Sequence, residues 1–170
     1  MRLKSKTKAI GENGSQMLTV RKMQKQDVGV LFEIALRAFQ PDFEKHGEYP
    51  PLIDQKHKKF MPPLSSGVVI LQDDSIIGGA FALTFSKRGE IAAIFIDPSL
   101  HRQGLGAQAM ALVEGMHPKV RKWSLGVSNN VPLQWFFQSL GYARSGDVKD
   151  RKGEIIGVKY QKIINPTIIK

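Results

Sequence analysis

The stretch of this chain best suited to chemistry lies just past its middle. Six apolar residues, Ile91-Ala92-Ala93-Ile94-Phe95-Ile96, end at Asp97-Pro98, and His101-Arg102-Gln103-Gly104-Leu105-Gly106-Ala107 follows at once. An apolar run of this length between turn signals reads as a buried strand, Asp-Pro as a turn, and the amphipathic residues after the glycines as a helix. The first N–H groups of a helix have no carbonyl four residues back, and the helix dipole makes their end positive, so they bind phosphate. Gly104 and Gly106 carry no Cβ to hold a ligand away from the backbone. The chemistry indicated is the binding of an anionic, phosphate-bearing cofactor.

Periodicity supplies the elements that must position this loop. Leu18-Thr19-Val20-Arg21 alternates as a short strand, and Asp27 caps a helix with Leu31, Ile34, Ala35, Ala38 and Phe39 on one face. Pro41 stops it. Residues 42–63 are irregular and rich in proline and aromatics, with a short helix expected around 52–60. Residues 67–71 and 76–85 read as strands joined at Asp73-Asp74-Ser75, and a turn at Lys87-Arg88-Gly89 leads into the strand 91–96. Leu105, Ala109, Leu112, Val113 and Met116 then share a helical face that Pro118 closes. Trp123, Leu125 and Val127 alternate as a half-buried strand. A short helix buries Leu133, Phe136, Phe137 and Leu140 and ends at Gly141, and residues 142–148 and 155–164 form two last strands. The strand–helix–strand unit over 91–127 makes a parallel pair by a right-handed crossover, while its neighbours are antiparallel. The expected fold class is α+β, a mixed, mostly antiparallel, seven-stranded twisted sheet flanked by about four helices.

Composition narrows the function. A chain of 170 residues, 42% hydrophobic and 24% charged, fits one domain over residues 17–170 behind a disordered basic leader, residues 1–16. It has no cysteine, which excludes disulfides, thiol chemistry and thiolate zinc sites. No apolar segment follows the basic start and none is long enough to span a bilayer, so a cytoplasmic location and no membrane partner are expected. The net charge of +10 draws polyanions and speeds the arrival of anionic ligands. Because this charge is spread along the chain without a nucleic-acid motif, a solvated basic surface is favoured and no nucleic-acid partner is expected. No His/Asp/Glu cluster has ligand spacing, so no metal is expected.

With these elements in place, the chain resembles the GNAT superfamily of acyl-CoA-dependent N-acyltransferases over residues 18–164. The family's strongest signature, Arg/Gln-x-x-Gly-x-Gly/Ala, aligns with His101-Arg102-Gln103-Gly104-Leu105-Gly106. A second signature runs from Asn130 through Phe137 to Leu140-Gly141-Tyr142. The resemblance implies acetyl-CoA as cosubstrate, lying where a central parallel strand pair splays apart. It places pyrophosphate on the backbone N–H groups of Arg102, Gln103, Gly104, Leu105, Gly106 and Ala107, with His101 beside them. Pantetheine would pair with the backbone of Phe95 and Ile96, near Asn130 and Phe137.

Three departures bear on catalysis. His101 stands where the family has Arg or Gln, with Arg102 adjacent to supply charge. Phe137 replaces a tyrosine that protonates the departing thiolate in many relatives, and phenylalanine has no proton to give; the proton must then come from water or another group such as Tyr142. Ala92 and Ala93 occupy strand positions that often hold a base, which leaves Glu90 as the nearest acid, acting through water, with His46 and His57 as alternatives. Phe39, Phe43 and Tyr49 are candidates for an acceptor pocket, or else pack residues 42–63 onto the core. The expected activity is transfer of acetyl from acetyl-CoA to a primary amine of a small molecule or peptide by direct attack. The alternative is a GNAT-like module that senses acyl-CoA without turnover. A homodimer is compatible with either.

Overall fold

The computed structural model describes residues 7–10, 17–47, 49–101 and 103–165. They form two compact units, Met1–Ala82 with Ala93–Pro118, and Leu83–Ala92 with Lys119–Lys170. In chain order the first elements are β1 (Thr7–Ile10), β2 (Met17–Lys22), α1 (Val28–Ala38) and α2 (Gln40–His46). Next come β3 (Ile53–Asp54), β4 (Lys59–Phe60), β5 (Gly67–Gln72), β6 (Ser75–Phe85), β7 (Arg88–Ile96) and α3 (Leu105–Gly115). The chain continues with β8 (Lys122–Ser128), α4 (Val131–Ser139), β9 (Ala143–Lys149) and β10 (Ile155–Ile163). The sheet is mixed and mostly antiparallel, with eight strands rather than seven. The additional strand, β1, falls inside the stretch read as a leader and pairs with β2; residues 1–6 and 11–16 lie outside the described residues.

In the first unit, β1, β2, β5 and β6 pair antiparallel in that order. Leu31, Phe32, Ile34 and Ala35 of α1 bury against Val69, Phe81, Phe95, Leu52 and Ile53, as the 3.6-residue spacing of α1 requires. Helix α3 packs on β2 and β1 through the face bearing Leu105, Ala109, Leu112 and Val113. The short helix expected around 52–60 is instead the two-stranded ribbon β3–β4. Apolar spacing there was set by burial of Leu52, Ile53 and half-buried Phe60, not by a helical turn. Pro41 does stop α1, and it also sits in the first turn of α2, where a missing N–H costs nothing.

Asp27 is 4% exposed and its side chain does not cap α1 as expected. It accepts two bonds from Arg21, Nη1 at 2.7 Å and Nη2 at 2.9 Å, and a third from the Gln24 N–H at 2.8 Å. The Arg21 bonds hold its carboxyl below the ordinary Asp value, outweighing the opposing effect of burial. Arg21→Ala leaves that charge buried and unpaired, so a loss of about 3–5 kcal/mol is expected by urea unfolding. A carboxylate with a depressed folded pKa stabilises above its unfolded value and stops doing so as pH falls through the folded one. Melting temperature should therefore drop below about pH 4 more steeply in the wild type than in Asp27→Asn.

In the second unit, β8 pairs along its whole length with β10, Lys122 opposite Ile163 to Ser128 opposite Gly157. β10 also pairs with β9. The parallel pairing of β7 with β8 is much shorter, Arg88–Glu90 beside Lys122–Ser124. The turn before β7 is Ser86-Lys87, one residue earlier than expected. Trp123, Leu125, Val127, Val158 and Tyr160 are buried, so alternation sets one covered sheet face and one open one. The α4 register differs slightly from expectation: Phe137 is buried, but Leu133 is 39% exposed. Gly89 lies under the Trp123 ring, where a Cβ would come within 2.5 Å of Cζ3.

Candidate functional site

The strand, turn and helix start fall in the first unit as the sequence indicates. β7 ends at Ile96, and the Asp97 N–H donates to the Ile77 carbonyl at 2.7 Å. The Asp97 carboxylate caps the following turn, accepting from the Ser99 N–H at 3.1 Å and Oγ at 2.9 Å. Its other oxygen accepts from Arg37 Nη2 at 2.9 Å. Burial pushes the Asp97 carboxyl up, but the bonds from Arg37 and Ser99 prevail and hold it below its ordinary value. Gly104 then takes φ 72° and ψ 9°, a left-handed conformation that suits glycine, and α3 begins at Leu105. The Gln108 N–H bonds back to the Gly104 carbonyl at 3.4 Å. The N–H groups of the turn before it have no carbonyl four residues back within the helix.

Two predicted contacts change in detail. Successive residues of a strand direct their main-chain groups to opposite edges. The Asp97 N–H bonds β6, and a Cβ on Gly78 of β6 would collide with the Phe95 carbonyl. Phe95 thus faces β6, and Ile94 and Ile96 present their main-chain groups at the other edge. His101 turns back, its Nε2 lying 3.0 Å from the Ile96 carbonyl, so it braces the end of β7. Arg102 lies outside the described residues; Gln103 and Gly104 are exposed, and Gly106 and Ala107 are half-buried.

The family model for the acetyltransferase (GNAT) family matches residues 30–142, more than half of the chain and both signatures. The chain belongs to the GNAT acetyltransferase family. Solved GNAT structures share its fold at low identity. A PaiA N-acetyltransferase from Thermoplasma acidophilum, solved in complex with coenzyme A, is 14% identical with a TM-score of 0.65, covering 86% of this chain and 98% of its own. The GNAT domain of S. lividans PAT is 12% identical with a TM-score of 0.67, covering 94% and 97%. The ribosomal-protein-S18-alanine N-acetyltransferase from Escherichia coli is 17% identical with a TM-score of 0.60, covering 91% and 100%. No curated protein matches the sequence.

Within this GNAT chain the remaining candidates separate. Asn130 is the N-cap of α4, its side-chain oxygen accepting from the Leu133 N–H at 3.0 Å. Phe137 is buried and packs edge-on against Tyr142, with ring centroids 5.9 Å apart. Tyr142 is 3% exposed with Lys162 Nζ 5.6 Å from its ring centroid, which makes it a core residue rather than an acid open to a ligand. Glu90 is exposed on β7, beside Ser124 of β8. His57 bonds Asp54 at 2.8 Å, and this bond lowers the Asp54 pKa; His46 is exposed at the end of α2.

Phe39 packs edge-on against Phe95, at 6.1 Å between centroids, and Phe43 stacks on Tyr49 at 4.7 Å. The Tyr49 hydroxyl donates to Gln40 Oε1 at 2.9 Å. Packing onto the core accounts for Phe39 and Tyr49. The groove missed by sequence reasoning lies nearby, about 710 Å³, lined by Glu33, Arg37, Gln40, Asp97 and Ser99 among others. Its Arg37–Asp97 pair joins residues 60 apart in sequence, a separation that carries no local signal. Among the described residues no group of three metal-binding side chains occurs, and no helix is long and apolar enough to cross a membrane.

Proposed function

We propose that this GNAT chain is an N-acetyltransferase that moves the acetyl group of acetyl-CoA to a primary amine. The observation that carries the reading is the direct succession of strand end, left-handed Gly104 and open helix start at α3. The N–H groups from Gln103 to Ala107 hold the pyrophosphate on the positive end of the helix dipole. Pantetheine bonds the Ile94 main chain at the β7 edge that faces away from β6, the Ile96 carbonyl being held by His101, and N–H groups of that edge polarise the thioester carbonyl. The Thermoplasma acidophilum relative solved in complex with coenzyme A supports coenzyme A chemistry for the cosubstrate.

Acetyl-CoA supplies an activated acyl carbon and a thiolate leaving group. The acceptor must lose its ammonium proton, and Glu90 is the carboxylate on β7 that takes it, directly or through water. The nitrogen–carbon bond then forms, the nitrogen gives its surplus proton to solvent, and the carbon–sulfur bond breaks. Buried Phe137 offers no proton, so the thiolate takes one from solvent; a thiolate leaves without general acid help near neutral pH.

Phe137 and the Ala92-Ala93 pair favour a second reading, an acyl-CoA sensor without turnover. Thiol release with a panel of small amines and peptides separates the two. Turnover on at least one acceptor is expected, and binding of acetyl-CoA with release on none would leave the sensor.

A further inference from the structure

Charge that looks evenly spread along the sequence is segregated by the fold. Among the described residues, the second unit carries eleven Lys and Arg against four Asp and Glu, whereas the first unit, leaving out β1, carries eight against nine. The open face of the second unit's sheet concentrates the consequence. Register places Arg88 and Glu90 of β7, Lys122, Ser124, Gly126 and Ser128 of β8, and Gly157, Lys159 and Gln161 of β10 on one face. Ser124 and Gly146, which pairs with Lys159 on β9, are small, and Val148 of β9 leans over Gly126, its Cγ2 3.2 Å from where a Cβ would be. Lys159 lies over Gly146, its Cδ 3.9 Å from where a Cβ would be. Glu90 is the one carboxylate among the described strand residues of this face; Asp147 is bound by Arg144 at 2.7 Å.

We infer that this face is the acceptor shelf and that its acceptor is an acidic peptide with a free N-terminus. The inference rests on the acetyl-transfer reading for the role of Glu90, which receives the ammonium. Lys122 and Lys159 receive carboxylates. A second copy of the chain does not fit, because cations would face cations. An extended peptide does, because a sheet face of mostly small residues between lysines, with Val148 as an apolar contact, accepts a strand laid across it. With strands about 4.8 Å apart and a rise of about 3.3 Å per residue, Lys159 lies roughly 12 Å from Glu90, three to four residues of extended chain. Acidic side chains at the third and fourth positions of the acceptor are therefore recognised.

Fluorescence anisotropy with labelled heptapeptides bearing Asp, Asn or Lys at positions three and four tests this, alongside acetylation of the same peptides. The Asp peptide should bind at least tenfold tighter than the Asn peptide. Lys159→Glu should erase that preference and Lys159→Gln weaken it, with the thermal shift given by acetyl-CoA unchanged. Equal binding of the three peptides, an intact preference in Lys159→Glu, or displacement of the Asp peptide by a neutral heptapeptide overturns the shelf, whatever acetyl-CoA does. Preferred binding without acetylation leaves the shelf standing and counts against the acetyl-transfer reading instead.

Discussion

Gly104→Val is expected to remove stabilisation by acetyl-CoA while leaving the chain folded. The left-handed conformation at φ 72° is the reason glycine stands there. A β-branched residue at that angle costs about 1–3 kcal/mol, yet a Cβ at Gly104 would meet no atom within 4 Å. The damage to folding is thus confined to local strain. Ligand binding suffers more, because the new side chain projects where phosphate must approach the first N–H groups of α3. Affinity should fall roughly hundredfold, about 2.7 kcal/mol. Gly104→Asn separates the two effects, since asparagine tolerates the left-handed region. If Asn binds as the wild type does, glycine serves conformation only, and the close approach of phosphate at this residue is refuted.

Glu90→Gln carries the second large effect. Loss of a general base costs about 10²–10⁴-fold in rate, and here the loss should appear in kcat with acetyl-CoA binding unchanged. Its pH dependence distinguishes a base from a positioning group. The reacting nitrogen is the neutral amine, so without a base the rate rises with pH until the acceptor amine, pKa about 8, is itself neutral. The deficit of Glu90→Gln should therefore shrink as pH rises from about 7 to 9. A deficit constant across that range assigns Glu90 to positioning, and no deficit hands proton removal to water or another group.

Much of the fold was legible because burial imposes periodicity. The alternation of Trp123, Leu125 and Val127 and the 3.6-residue spacing of α1 and α3 each fixed an element and its buried face. Residues 52–60 misled because two two-residue strands are too short to show a period. The glycine at the entry to α3 was legible in place, since the left-handed backbone at Gly104 selects glycine. Three things were not. His101 bonds a carbonyl five residues back, which residue type does not disclose. Arg37 meets Asp97 only through the fold. The basic shelf exists because strand register brings Arg88, Lys122 and Lys159 to one face, although their sequence spacing suggests only scattered charge.

Calorimetric titration of acetyl-CoA into the wild type and Gly104→Val, repeated at two salt concentrations, bears most directly on the central claim that the α3 entry holds the cofactor. Saturable one-to-one binding to the wild type, weakened by added salt as a pyrophosphate contact requires and weakened roughly hundredfold in Gly104→Val, is the predicted result. No heat of binding to the wild type, or equal affinity in the two proteins, contradicts it.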